Sequence, residues 1–154
     1  MGYEKNVAML FMDHDITRFA ERPFKSIKIG LRTLNVYASH TDQEINKALD
    51  FGTRPGTDLV VIDNSYDTRS GITRKIKESG YKVPVMIFPV TGSSNLDLGQ
   101  VVKRSRADFA LRDCTSETLS KTIDAILNRK PIPSTLFYDP ERYRAKDDVL
   151  VPLF

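Results

Sequence analysis

Apolar residues gather along the chain in short unbroken runs separated by stretches of helical period. Asn6–Met12 (NVAMLFM), Leu59–Ile62 within TDLVVIDN, and Val83–Val90 (VPVMIFPV) do not alternate with polar residues. Such runs predict strands buried on both faces of a parallel sheet. Leu34–Ser39 (LNVYAS) and Ala107–Arg112 (ADFALR) predict two further strands. Between them, Phe19, Phe24, Ile27 and Leu31 recur at helical spacing and predict one helix from Ile16 to about Leu31, with a new turn or a kink at Pro23. Thr41 or Asp42 caps a short helix with Ile45 and Leu49 inward, ending near Gly52. Ile72–Gly80 (ITRKIKESG) is predicted helical, with Gly80 as its stop. Ser93–Arg106 is predicted to form a polar helix with a thin apolar side. Thr115 or Ser116 caps a last helix whose apolar face is Leu119, Ile123, Ile126 and Leu127. Five alternations of strand and helix predict an α/β fold, a five-stranded doubly wound parallel sheet with helices on both faces.

The pattern divides the chain into a domain over residues 1–130 and a C-terminal extension over residues 131–154. Pro131 and Pro133 stop the last helix, and STLFYDPERYRAKDDVLVPLF mixes aromatic residues with charge. The extension is too apolar for a disordered linker. Two outcomes are consistent with it: folding back over the domain, or docking onto a partner or a second copy. No internal repeat is visible.

Composition narrows the function. A chain of 154 residues is one domain with a core of its own. One cysteine, Cys114, excludes a disulfide framework and suits a reducing compartment. Neither a spanning segment nor a leader sequence is read, so a soluble cytoplasmic protein without membrane association is expected. The net charge of +3 comes from bases scattered among acids. That pattern points to a solvated surface and no direct nucleic-acid binding. Neither a GxGxxG turn nor a phosphate-loop Lys is present, which argues against a nucleotide enzyme; no enzymatic activity is expected.

Candidate chemistry lies at the strand ends. Asp63 closes the run LVVID, and Asp13, His14 and Asp15 follow the first strand. In open α/β sheets, ligands collect in the crevice outside the carboxyl ends of the strands. Cys114 has an acidic neighbour, Asp113, and is not expected to be a reactive thiol. His14 and His40 alone do not make a transition-metal site.

Met12–Asp15 (MDHD), Val60–Asp63 (VVID) with Gly71 beyond it, Asn35–Ile45 (NVYASHTDQEI) and Phe109–Leu119 (FALRDCTSETL) occur in an order that resembles the receiver domain of bacterial response regulators. The resemblance covers residues 6–128 and implies a flavodoxin-like fold. It makes Asp63 the phosphoacceptor, with Mg²⁺ held by Asp13, Asp15 and Asp63. Arg112 stands at the position of the family's Lys, which contacts the acyl phosphate, and Thr91 is the available switch hydroxyl. The sequence departs from the family pattern at His14, where a carboxylate belongs, at Pro89, where a hydroxyl belongs, and at Arg112 and Asp113, which replace Lys and Pro. Imidazole is a poor Mg²⁺ ligand, and Arg does not reproduce a compact ammonium. The departures favour a pseudo-receiver that signals through protein contacts without phosphate. The alternatives are a working Mg²⁺-dependent single-domain response regulator and, from a different class, a small-ligand-binding α/β protein. Implied partners are a histidine kinase or a downstream effector, or a second copy in a homodimer. Contact is expected on the family's output face, here about Ser94–Leu127. A permanent ion pair between Asp63 and Arg112 is a further option.

Overall fold

The computed structural model describes residues 4–12, 22–36, 41–89, 97–112 and 115–153. Five parallel strands, β1 (Lys5–Phe11), β2 (Ile29–Asn35), β3 (Leu59–Asp63), β4 (Val85–Phe88) and β5 (Phe109–Leu111), run in the spatial order β2-β1-β3-β4-β5. The helices are α1 (Arg22–Ser26), α2 (Asp42–Gly52), α3 (Asn64–Ser70), α4 (Ile72–Glu78), α5 (Leu98–Ser105) and α6 (Ser116–Leu127). No helix among the described residues is long and apolar enough to cross a membrane.

The unbroken apolar runs are explained by two cores, one on each face of the sheet. Val7, Met9 and Phe11 of β1 join Leu59, Val61, Met86 and Phe88 in a core closed by Phe24 of α1 and by Leu119 and Ile123 of α6. Leu10, Val60, Ile62 and Ile87 point the other way, into Ala48 of α2, Tyr66 of α3, Ile72 and Ile76 of α4, and Val101 and Val102 of α5. Successive strand residues face opposite sides, so a strand apolar at every position needs a cover on both.

Three differences from the sequence expectations have physical causes. The helix expected over Ile16 to Leu31 ends, in its described part, at Ser26, and β2 starts at Ile29 rather than Leu34. Phe24, Ile27 and Leu31 all face the same core, but from a helix, a turn and a strand; three inward residues at a helical interval do not fix the backbone between them. Lys28 makes the turn with φ 59°, a left-handed conformation incompatible with a continuing helix. The end of the expected strand, Tyr37–Ser39, lies outside the described residues. Secondly, α3 is an additional helix, of polar sequence NSYDTRS, that begins directly after β3 and is separated from α4 by Gly71 at φ 66°.

Thirdly, the sheet has six strands among the described residues. The extension folds back: β6 (Leu136–Tyr138) pairs antiparallel with β5, Leu111 opposite Leu136 and Phe109 opposite Tyr138. β6 starts opposite the carboxyl end of β5, so after α6 the chain runs back along the sheet over residues 128–135 before it pairs. β6 sends Leu136 into one core and Phe137 against the other. A hairpin of β7 (Tyr143–Lys146) and β8 (Val149–Pro152) completes the chain. It buries Leu150 in the α6 core and packs the Tyr143 ring 4.8 Å from that of Phe109.

Candidate functional site at the strand ends

β1 and β3 are in parallel register with Leu10 opposite Ile62, which brings the ends of both strands together. Met12, one residue past β1, donates its backbone N–H to Asp63 Oδ2 at 3.2 Å. The other oxygen, Oδ1, accepts the Ser65 N–H at 3.0 Å, so Asp63 is the N-cap of α3. Its carboxylate thus stabilises two backbone amides, and its charge lies at the positive end of the helix. The residue is 2% exposed.

The neighbouring strand ends carry different chemistry. Phe88 of β4 lies opposite Asp63, and the buried Pro89 that follows offers neither a hydroxyl nor an N–H. Arg112, just past β5, is two strands from Asp63, so the backbones are separated by roughly 10 Å. Arg112 is exposed, and its backbone N–H donates to Thr135 O at 3.3 Å, at the approach to β6. Its side chain lines a cavity of about 520 Å³ with Asp97, Gly99, Ser134 and Thr135. On the α3 side, Arg104 of α5 donates through Nη2 to Asn64 Oδ1 at 3.4 Å and Thr68 Oγ1 at 3.3 Å, joining the two helices over the strand end.

The structure therefore brings Asp63 to the end of β1 and sets Arg112 across β4 from it. Asp13, His14, Asp15 and Thr91 lie outside the described residues, as do His40, Asp113 and Cys114. Both oxygens of Asp63 accept a backbone N–H. As a hard oxygen donor it fits Mg²⁺. The capping role of Asp63 was not read from the sequence. Its signal is local, an Asp followed two residues on by a Ser amide, but the polar stretch after it hides the helix.

A second polar cluster, at the opposite ends of the strands, also escaped sequence reading. Asp108, buried just before β5, accepts Val85 N–H at 2.8 Å and Lys77 Nζ at 2.5 Å on Oδ2, and Arg142 Nη1 at 3.0 Å on Oδ1. Its charged partners are 31 and 34 residues away in sequence, beyond any local pattern. Arg142 Nη1 also donates to Arg106 O at 3.2 Å, which ties the hairpin to the end of α5.

No protein-family model matches the sequence, and no curated protein is similar to it. Solved structures are similar in fold. A response regulator receiver protein from Pseudoalteromonas atlantica superposes with a TM-score of 0.59 at 9% identity, covering 80% of this chain and 97% of that one. One from Burkholderia phymatum gives 0.56 at 22% identity, over 80% and 95%. The response regulator DrrB, an OmpR/PhoB homologue from Thermotoga maritima, gives 0.60 at 16% identity over 95% of this chain, which spans 60% of DrrB. That last likeness reaches into the C-terminal extension. The chain has the flavodoxin-like fold of the response regulator receiver domain, with its sheet extended by an antiparallel sixth strand.

Proposed function

We propose that this chain is an atypical receiver that signals through protein contacts and does not use Asp63 as a phosphoacceptor. The observation that carries the reading is the state of the Asp63 carboxylate, 2% exposed with each oxygen on a backbone N–H. In-line phosphoryl transfer needs a carboxylate oxygen with a free line of approach to phosphorus, and positioning contributes most of the catalysis in such reactions. Here the acid holds the start of α3 against the end of β1. Pro89 and Arg112 support the same reading, because neither supplies the hydroxyl or the compact ammonium that a phosphoryl group at Asp63 would meet.

Asp63, Asp13 and Asp15 are the residues that would hold Mg²⁺, which when bound would offset carboxylate charge at the strand ends. Partner contact, with a kinase, an effector or a second copy, falls on α5 and α6. β6 now occupies the outer edge of β5, so a partner approaching that edge meets β6 instead. The same reading makes it a cytoplasmic protein without nucleic-acid contact of its own.

Mass spectrometry after incubation with a small phosphodonor and Mg²⁺ tests the reading. Neither the wild type nor Asp63→Asn is expected to carry a phosphoryl adduct. An adduct present in the wild type and lost in Asp63→Asn would make the chain a working response regulator.

A further inference from the structure

We propose that a cavity at the amino ends of β4 and β5, opposite the Asp63 end, binds a phosphate-bearing small molecule. The cavity has a volume of about 590 Å³, within the range that holds drug-sized ligands. Its lining includes Lys77, Lys82, Arg106, Asp108, Arg142 and Tyr143, four cations against one carboxylate. Asp108 is already shared between Lys77 and Arg142, so one negative charge balances two positive charges before Lys82 and Arg106 are counted. Among the described residues, two rim acids reduce the excess without removing it. Glu78 lies 4.0 Å from Arg106, with both side chains at least half exposed, and Asp139 lies 3.5 Å from Arg142 Nε. A bound anion supplies the missing charge.

Lys77 and Arg142 are held in place before any ligand arrives. Lys77 spends two of its three N–H groups on Val83 O and Asp108. Arg142 is oriented by Asp108 Oδ1 and Arg106 O, which leaves Nη2 of its fork for a further acceptor. Arg106 sits at the end of α5 in a left-handed conformation, φ 64°, with its N–H on Val102 O. Burial, and Asp108 beside it, push the Tyr143 phenol well above its ordinary pKa, so it stays a neutral O–H donor. The Arg106 fork, the remaining Nη2 of Arg142 and two ammonium groups, on three separate chain segments, suit a phosphate with several oxygens better than a planar carboxylate. The occupant is a soluble phosphorylated metabolite, since the donors converge on one concavity.

The test is a titration of the ¹⁵N-labelled full chain with inorganic pyrophosphate, and with citrate at matched ionic strength, followed by NMR. Saturable shifts are expected at Gly80, Lys82, Arg106, Arg142 and Tyr143, with citrate binding more weakly. The double variant Lys82→Ala, Arg106→Ala removes two exposed side chains and keeps the Asp108 network; with the thermal midpoint unchanged, it is expected to lose about tenfold or more in affinity. Non-saturating shifts scattered over the surface would overturn the proposal. So would unchanged affinity in the folded double variant, or citrate binding as tightly as pyrophosphate.

Discussion

Replacing Asp108 with Ala is expected to lower the unfolding free energy by about 3–5 kcal/mol, the cost of removing one partner from a buried ion pair. The Asp108 side chain is 5% exposed and that of Lys77 is 16% exposed, so the ammonium left behind regains little water. Arg142, at 38%, recovers more and loses mainly its orientation. Val85 N–H, at the start of β4, also loses its acceptor. The loss is a large fraction of the stability of an ordinary domain. In urea it corresponds to a fall in midpoint of roughly 2 M at a typical slope. Asp108→Asn keeps the shape and one oxygen, so it is expected to cost less than Ala. Because Asp108 joins α4, β4 and the connection into β7, the Ala variant is also expected to loosen the hairpin, seen as faster amide exchange in β7 and β8. An Ala variant within about 1 kcal/mol of the wild type would mean that the network carries no net stability.

The second large effect is at Asp63. Asp63→Ala removes the N-cap of α3, worth about 1 kcal/mol, and leaves the Met12 N–H without its acceptor, worth about 1–3 kcal/mol when buried. A total of about 2–4 kcal/mol follows. Asn is as good an N-cap as Asp and keeps one accepting oxygen for Ser65, so Asp63→Asn is expected to lose about 1 kcal/mol. Urea denaturation of the three proteins checks the order wild type, Asn, Ala. If both variants matched the wild type in stability, the carboxylate would not be committed to the backbone, and its burial would need another explanation.

The fold was legible wherever a run of residues met the same environment throughout its length. β1, β3 and β4 are apolar on both faces because they lie inside the sheet with helices on each side. α6 shows its start in Thr115, whose Oγ1 accepts the Thr118 N–H at 3.1 Å, and its inner face in Leu119 and Ile123. β2 was less legible because it is an edge strand, with a part-polar sequence that pairs along one side only. α3 was hidden because its burial rests on Tyr66, Asp67 and Ser70, two of them polar residues satisfied locally: Ser70 Oγ donates to Tyr66 O at 2.7 Å, and Asp67 Oδ1 accepts the Thr73 N–H at 2.9 Å.

At the site, the sequence located Asp63 at a strand end but not what its oxygens do, since that depends on Met12, 51 residues earlier. β6 was legible only as an apolar stretch, Leu136–Tyr138. Its pairing with β5 depends on where the edge of the sheet falls. Lys77, Asp108 and Arg142 lie far apart in the chain, and only the fold brings the two bases onto one carboxylate.

The central claim, that Asp63 is a structural cap and not a phosphoacceptor, is tested most directly with beryllofluoride and Mg²⁺, which together build a phosphoryl mimic on an accessible aspartate. Amide spectra of the full chain recorded in Mg²⁺ before and after addition of beryllofluoride are predicted to coincide at Met12, Ser65 and Phe88. Saturable shifts at those three amides, absent in Asp63→Asn, would contradict the account.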